Sequence, residues 1–243
     1  MNYSQTQFVC EKCGYNMIGF YPKSCPFCGA SKENFITAEE CSQKYKIVSF
    51  KVNNKVTSLN SYPSLGLEHS AYSIASNNKI FWIDCPSTFS KDLEPMDKIF
   101  FTHNHFLGAS NLYRGYYTSF VWIHKHDSDH PLSNKHPFDK KFTQDFNFSG
   151  IEAFHIDGHT RGFTFYIFET NLFICDYFIK TNGHLILNPY GPIESTKKGA
   201  HKFYRLIENR EIETVCGYNY VIDYQNWKND FLKLLKKNGK NVR

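Results

Sequence analysis

The chain has 243 residues, 41% hydrophobic and 21% charged, with 9 Pro and 14 Gly. That composition excludes a disordered or collagen-like polymer and leaves room for one large domain or two unequal ones. A formal charge of +5 is mild for this length and does not nominate nucleic acid as a partner.

In chain order, the amino end lacks the charged start and apolar stretch of a secretory signal. No apolar run reaches the ~18–20 residues of a membrane span, so a cytoplasmic protein with no membrane partner is expected. Four of the eight cysteines then follow in two C-x-x-C steps, Cys10 with Cys13 and Cys25 with Cys28. Two residues between paired cysteines let one tight turn aim both sulfurs at a single point, and two such turns supply a tetrahedral thiolate site. Gly14 and Gly29 follow the pairs, where a permissive backbone lets amides turn toward sulfur. The aromatics Phe8, Tyr15, Phe20, Tyr21, Phe27 and Phe35 supply the little core such a unit needs.

Residues 36–46 are polar and read as a linker that contains Cys41. Beyond it, short apolar strands are expected near 46–52, 70–76, 79–84, 97–102, 119–124, 151–156, 163–168, 171–175 and 213–216. Asn77-Asn78 between two apolar runs predicts a hairpin. Helices are expected around 108–115, 196–209 and 224–238, which gives an α/β or α+β layered fold. In the last of them Phe231, Leu234 and Leu235 recur at helical spacing, while Lys228, Lys233, Lys236, Lys237, Lys240 and Arg243 make a solvated basic face.

The strand Lys98–Phe101 runs straight into Thr102, His103, Asn104 and His105. Two histidines one residue apart at a strand end can address one metal where the chain bends. Later, His159 stands in the turn of I-D-G-H-T-R-G, and Asp176 closes the apolar run N-L-F-I-C-D. His124, His126, His130 and His136 lie with Asp127 and Asp129 in a stretch that reads chiefly as a solvated loop. His69 precedes an inner strand, in position to face the same rim. Cys85, Cys175 and Cys216 read as small buried hydrophobes.

Residues 8–35, F-V-C-E-K-C-G-Y through C-P-F-C-G to Phe35, resemble the rubredoxin-like domain of rubrerythrins. That resemblance implies one iron on four cysteines, although a tetrahedral sulfur site suits zinc equally well. Residues 47–243 resemble the metallo-β-lactamase superfamily through T-H-N-H, G-H-T-R-G and the C-D step, with Asp84 matching a strand-end Asp before the first motif. The implied architecture is a four-layered αββα sandwich over 47–243, preceded by a rubredoxin-like β-hairpin unit over 1–40. The implied ligands of a zinc or iron ion are His103, His105, His159 and Asp176.

Two departures shape the expected chemistry. Phe106-Leu107-Gly108 stands where the family carries an Asp-His pair, and Tyr218 stands about where its last His would be. Both losses remove ligands of a second ion, so a single-metal site is expected. It would hydrolyse a small ester, thioester or related substrate, with Asp176 and Tyr218 as catalytic residues and the Tyr218 phenol donating to a developing oxyanion. One alternative is an iron-dependent oxidoreductase that uses the four-cysteine centre for electron transfer with a redox partner. The other is a catalytically degenerate domain that binds metal or a partner.

Overall fold

The computed structural model describes residues 6–239; Lys240 and Arg243 of the basic carboxyl end lie outside the described residues. The chain divides into two compact units, one ending at Phe142 and the other beginning at Thr143.

In the first unit, β1 (Gln7–Cys10), β2 (Asn16–Ile18) and β3 (Phe35–Thr37) form an antiparallel sheet in the order β2-β1-β3. Its core holds Cys10, Cys13, Tyr15, Met17, Cys25 and Phe35, joined by Phe106 from far along the chain. The stretch read as a linker contains a helix, α1 (Ala38–Lys44). Its cause is a capping box that composition hid: Thr37 Oγ1 accepts from the Glu40 amide at 3.1 Å, and Glu40 accepts from the Thr37 amide at 2.7 Å. Cys41 is buried on this helix rather than standing in a linker.

A seven-stranded sheet follows, with β4 (Lys46–Lys51), β5 (Val56–Tyr62), β6 (Ala71–Ser76) and β7 (Lys79–Ile83) joined antiparallel. The next strands, β8 (Lys98–Phe100), β9 (Phe120–His124) and β10 (Lys140–Phe142), extend it in parallel, so spatial order equals chain order. Asn77 and Asn78 both take positive φ, 51° and 57°, the conformation a two-residue hairpin turn requires. The expected hairpin is there. Strand β5 had no counterpart in the sequence reading, because Thr57, Ser58, Asn60 and Ser61 dilute its apolar signal. Helix α2 (Ser110–Tyr117) buries Tyr113 against Trp82, their ring centres 4.8 Å apart. A short helix, α3 (Lys125–Ser128), follows β9 directly.

The second unit carries a six-stranded sheet built from β11 (Phe146–Phe148), β12 (Ile151–His155), β13 (Thr164–Phe168), β14 (Asn171–Cys175), β17 (Thr214–Gly217) and β18 (Val221–Asp223). A separate hairpin pairs β15 (Phe178–Thr181) with β16 (His184–Leu187). Strands β13 and β14 are buried at every position, which is why they read as continuous apolar runs instead of alternating ones. Helices α4 (Ile193–Ile207) and α5 (Tyr224–Gly239) cover this core with Phe203, Ile207, Trp227, Phe231, Leu234 and Leu235. Lys233, Lys236 and Lys237 are exposed on the other face of α5, as its spacing predicts. Among the described residues no helix is long and apolar enough to cross a membrane.

Candidate metal centres

The four sulfurs of Cys10, Cys13, Cys25 and Cys28 lie within 4.8 Å of one another. Cys10 and Cys28 are 3.8 Å apart, and Cys13 and Cys25 are 3.6 Å apart. Four sulfurs at ~2.3 Å from a common ion occupy tetrahedron corners ~3.8 Å apart. The donor set therefore fits a tetrahedral ion, and the separations are far too long for disulfides. Both knuckles are closed by the glycines: the Gly14 amide donates to the Cys10 carbonyl at 2.7 Å, and the Gly29 amide to the Cys25 carbonyl at 2.9 Å. Each glycine takes positive φ, 84° and 73°.

Crowding four thiols splits their acidities. Hydrogen bonds from Cys10 and Cys13 pull the Cys25 thiol down to about 4, while hydrogen bonding with Cys10 and Cys25 pushes the Cys13 thiol far up. Thiols must lose their protons to ligate an ion, so metal uptake here releases protons and weakens in acid.

The first unit also carries His103 and His105 on the turn after β8. Their coordinating nitrogens lie within 4.8 Å, and the rings stand 4.7 Å apart at 79°. The ring of His103 is oriented by a relay. Asp84, turned at the end of β7 with φ 59°, accepts from the Thr102 amide at 2.9 Å and from Thr102 Oγ1 at 2.9 and 3.0 Å. A carboxylate only accepts, so Thr102 Oγ1 spends its hydrogen there and accepts from His103 Nδ1 at 2.9 Å. The proton on His103 is thereby fixed at Nδ1, which leaves the lone pair on Nε2, the tautomer of a metal ligand. His69 lies beside them, its ring stacked 5.7 Å from that of His103.

In the second unit His159 and Asp176 meet, Nε2 to Oδ2, at 3.5 Å. That is long for a direct hydrogen bond, whereas two donors ~2.1 Å from one tetrahedral ion stand ~3.4 Å apart. The turn before His159 needs its glycine: Gly158 has φ 125°, and a Cβ there would meet the Tyr177 hydroxyl. That hydroxyl is held by the carbonyls of Asp157 and Thr196 at 3.0 and 2.9 Å. Asp176 is aimed by a register shift in β14 and by Cys175 at φ 46°. Asn188, which sequence reasoning missed, donates to the Asp176 carbonyl at 2.9 Å and to Asp176 Oδ2 at 3.1 Å. Gly191 packs so closely on His159 that a Cβ would lie 2.7 Å from its Cα. The string N-P-Y-G-P is the only signal the sequence offered for these supports. Tyr218 is half-buried at the turn between β17 and β18. Tyr220 folds over Gly217, its hydroxyl donating to the Phe178 carbonyl at 3.2 Å.

The stretch with His124, His126, His130 and His136 is not a solvated loop. His124 Nδ1 accepts from the His126 amide at 3.3 Å to cap α3, and His130 Nδ1 accepts from the Leu132 amide at 3.2 Å to start a short 3₁₀ turn. Among the described residues these histidines join no three-ligand group. His136 is buried, its Nε2 donating to the Asn16 carbonyl at 3.2 Å. Burial holds its pKa at about 4, below the unfolded value of ~6.5. The stability from keeping it neutral is full above the unfolded value and is lost as pH falls through the folded one. His136→Phe is therefore expected to flatten the acid side of the stability curve between pH ~6.5 and ~4 by about one proton, measured by urea unfolding across that range.

By sequence alone the chain matches no family model and no curated protein. Its structure is similar to a metallo-beta-lactamase from Pontibacter korlensis, with TM-score 0.62 at 15% identity, covering 79% of this chain and 99% of that one. A metallo-beta-lactamase from Erythrobacter litoralis gives 0.65 at 11% identity, covering 79% and 97%. An archaeal metallo-beta-lactamase superfamily protein from Sulfolobus tokodaii gives 0.53 at 15%, covering 71% and 80%. Each alignment covers more of the chain than either compact unit contains. The chain has the metallo-β-lactamase sandwich fold.

Proposed function

We propose that the protein is a single-metal hydrolase of a small ester, thioester or related substrate, with a second, structural ion on its four cysteines. In this reading His103, His105, His159 and Asp176 hold one zinc or iron ion. The observation that carries it is the Asp84–Thr102–His103 relay, which holds His103 in the tautomer that a metal ligand needs. The spacing of His159 and Asp176 and the fold itself support it.

Three neutral imidazoles and one carboxylate suit a four- or five-coordinate divalent ion. Such an ion, when bound, lowers the pKa of a water and polarises an acyl oxygen. The chain's own work is positional. Thr102 and Asp84 orient His103, Asn188 neutralises part of the Asp176 carboxylate and fixes its rotamer, and Gly191 lets the 188–192 turn close against His159. Tyr218 is assigned the oxyanion donor, so Tyr218→Phe is expected to slow turnover by ~10²-fold without changing metal content. Thr102→Val keeps the side chain's shape but removes the relay. It is expected to weaken the ion at this site ~10–100-fold, read by competition with a chromogenic chelator. An unchanged affinity would leave the relay without a role.

A further inference from the structure

The four-cysteine unit reaches the histidine pair through its side chains, within one compact unit. Phe27 lies between Cys25 and Cys28, at the tip of the second knuckle. Its ring stands 5.4 Å from that of His105 and 4.9 Å from that of Phe106. Phe106, the residue directly after His105, is buried in the core of the four-cysteine unit beside Cys10, Cys13 and Cys25. It also meets His69 edge-on at 5.1 Å, and His69 stacks on His103 at 5.7 Å. Phe27 therefore reaches both histidines, directly at His105 and through Phe106 and His69 at His103.

The first knuckle is fixed as firmly. Gly66 packs on its backbone so tightly that a Cβ would lie 2.5 Å from the Lys12 carbonyl oxygen, and this loop leads into His69. Gly14 packs against Ser87, and Asn16 Nδ2 donates to the Ser87 carbonyl at 3.2 Å. Tyr15 donates to the Leu132 carbonyl at 2.7 Å. Both knuckles are thus built into the strand-end loops that carry the histidines, which is more contact than a tethered module needs.

We propose that Phe27 is a positioning residue for the His103–His105 pair, through which the filled four-cysteine unit holds both rings in ligand geometry. This rests on the readings that the four cysteines hold one metal ion and that His103 and His105 help to hold another. His105 is the less buried of the pair, and the Phe27 ring lies against it. Without that ring, His105 gains rotamers that cannot reach a shared ion, and its ordering then opposes metal uptake.

The test is a cobalt(II) titration of full-length metal-free protein, because thiolate and imidazole ligation give distinct absorption. Thiolates give intense charge-transfer bands, whereas the histidine site gives weaker visible bands. Phe27→Ala is expected to keep the thiolate bands and their midpoint while the second set loses affinity ~10–100-fold. Phe27→Tyr, which restores a ring, is expected to recover it. Thermal unfolding of the Ala variant with only its four-cysteine site filled should match wild type in the same state, so that the loss is not general unfolding. Unchanged affinity of the second set in Phe27→Ala, or failure of Phe27→Tyr to recover it, overturns the proposal while the four-cysteine reading stands. Loss of the thiolate bands in Phe27→Ala also overturns it, since Phe27 would then serve the knuckle alone. Absence of either set of bands from wild type overturns the reading of that site, and the proposal with it.

Discussion

His159→Ala is expected to empty the histidine site and abolish hydrolysis together. The substitution removes one of three neutral ligands and takes away the imidazole that stands 3.5 Å from Asp176 Oδ2. Its effect should exceed that of any supporting residue, because an imidazole bound directly to the ion is lost and not merely reoriented. Elemental analysis should show one ion fewer per chain than wild type, while the four-cysteine ion remains. The fold should persist, since the core of this unit is built from Phe163, Phe165, Phe203, Trp227 and Phe231 and not from the site. Activity that survived His159→Ala would belong to another site or to a contaminant.

The second large effect is expected from replacing Cys10 and Cys25 by Ser in one chain. Each knuckle then keeps a single sulfur, too few to hold the ion tightly. The sheet formed by β1, β2 and β3 has a small core of which the cysteines themselves are part. Binding free energy of a structural ion is folding free energy, on the order of 10 kcal/mol for such sites, so the unit should melt. Hydrogen exchange over residues 7–37 should become fast while β13 and β14 stay protected. Slow exchange throughout, with no metal bound, would show that apolar packing against Phe106 and Leu132 suffices alone.

Much of this was legible because the chemistry sits in short strings. C-x-x-C spacing placed four sulfurs at one point, and T-H-N-H and G-H-T-R-G named the histidines that the two units present at strand ends. What stayed hidden is what depends on contacts distant in sequence. Asn188 acts on Asp176 twelve residues away, and the turn string N-P-Y-G-P around it says nothing of that partner. The replacement of an Asp-His pair by Phe106-Leu107-Gly108 reads in sequence as a loss. In the structure Phe106 is a core residue of the four-cysteine unit, and Gly108, with φ 54°, fits where a Cβ would strike the Cys85 and Pro86 carbonyls. The helix at Ala38–Lys44 was missed for a local reason: its capping box was masked by a polar composition that also suits a linker. The histidines after β9 misled in the opposite direction, since a cluster rich in ligand residues proved to be caps and one buried ring.

In the proposed reading one ion on His103, His105, His159 and Asp176 drives hydrolysis. Its most direct test is turnover of a panel of esters and thioesters by wild-type protein carrying both ions, beside His159→Ala. Wild type is expected to hydrolyse at least one substrate class, with a rate that rises through about pH 7–9, and the variant none. Full occupancy of both sites with no turnover on any member of the panel would contradict it.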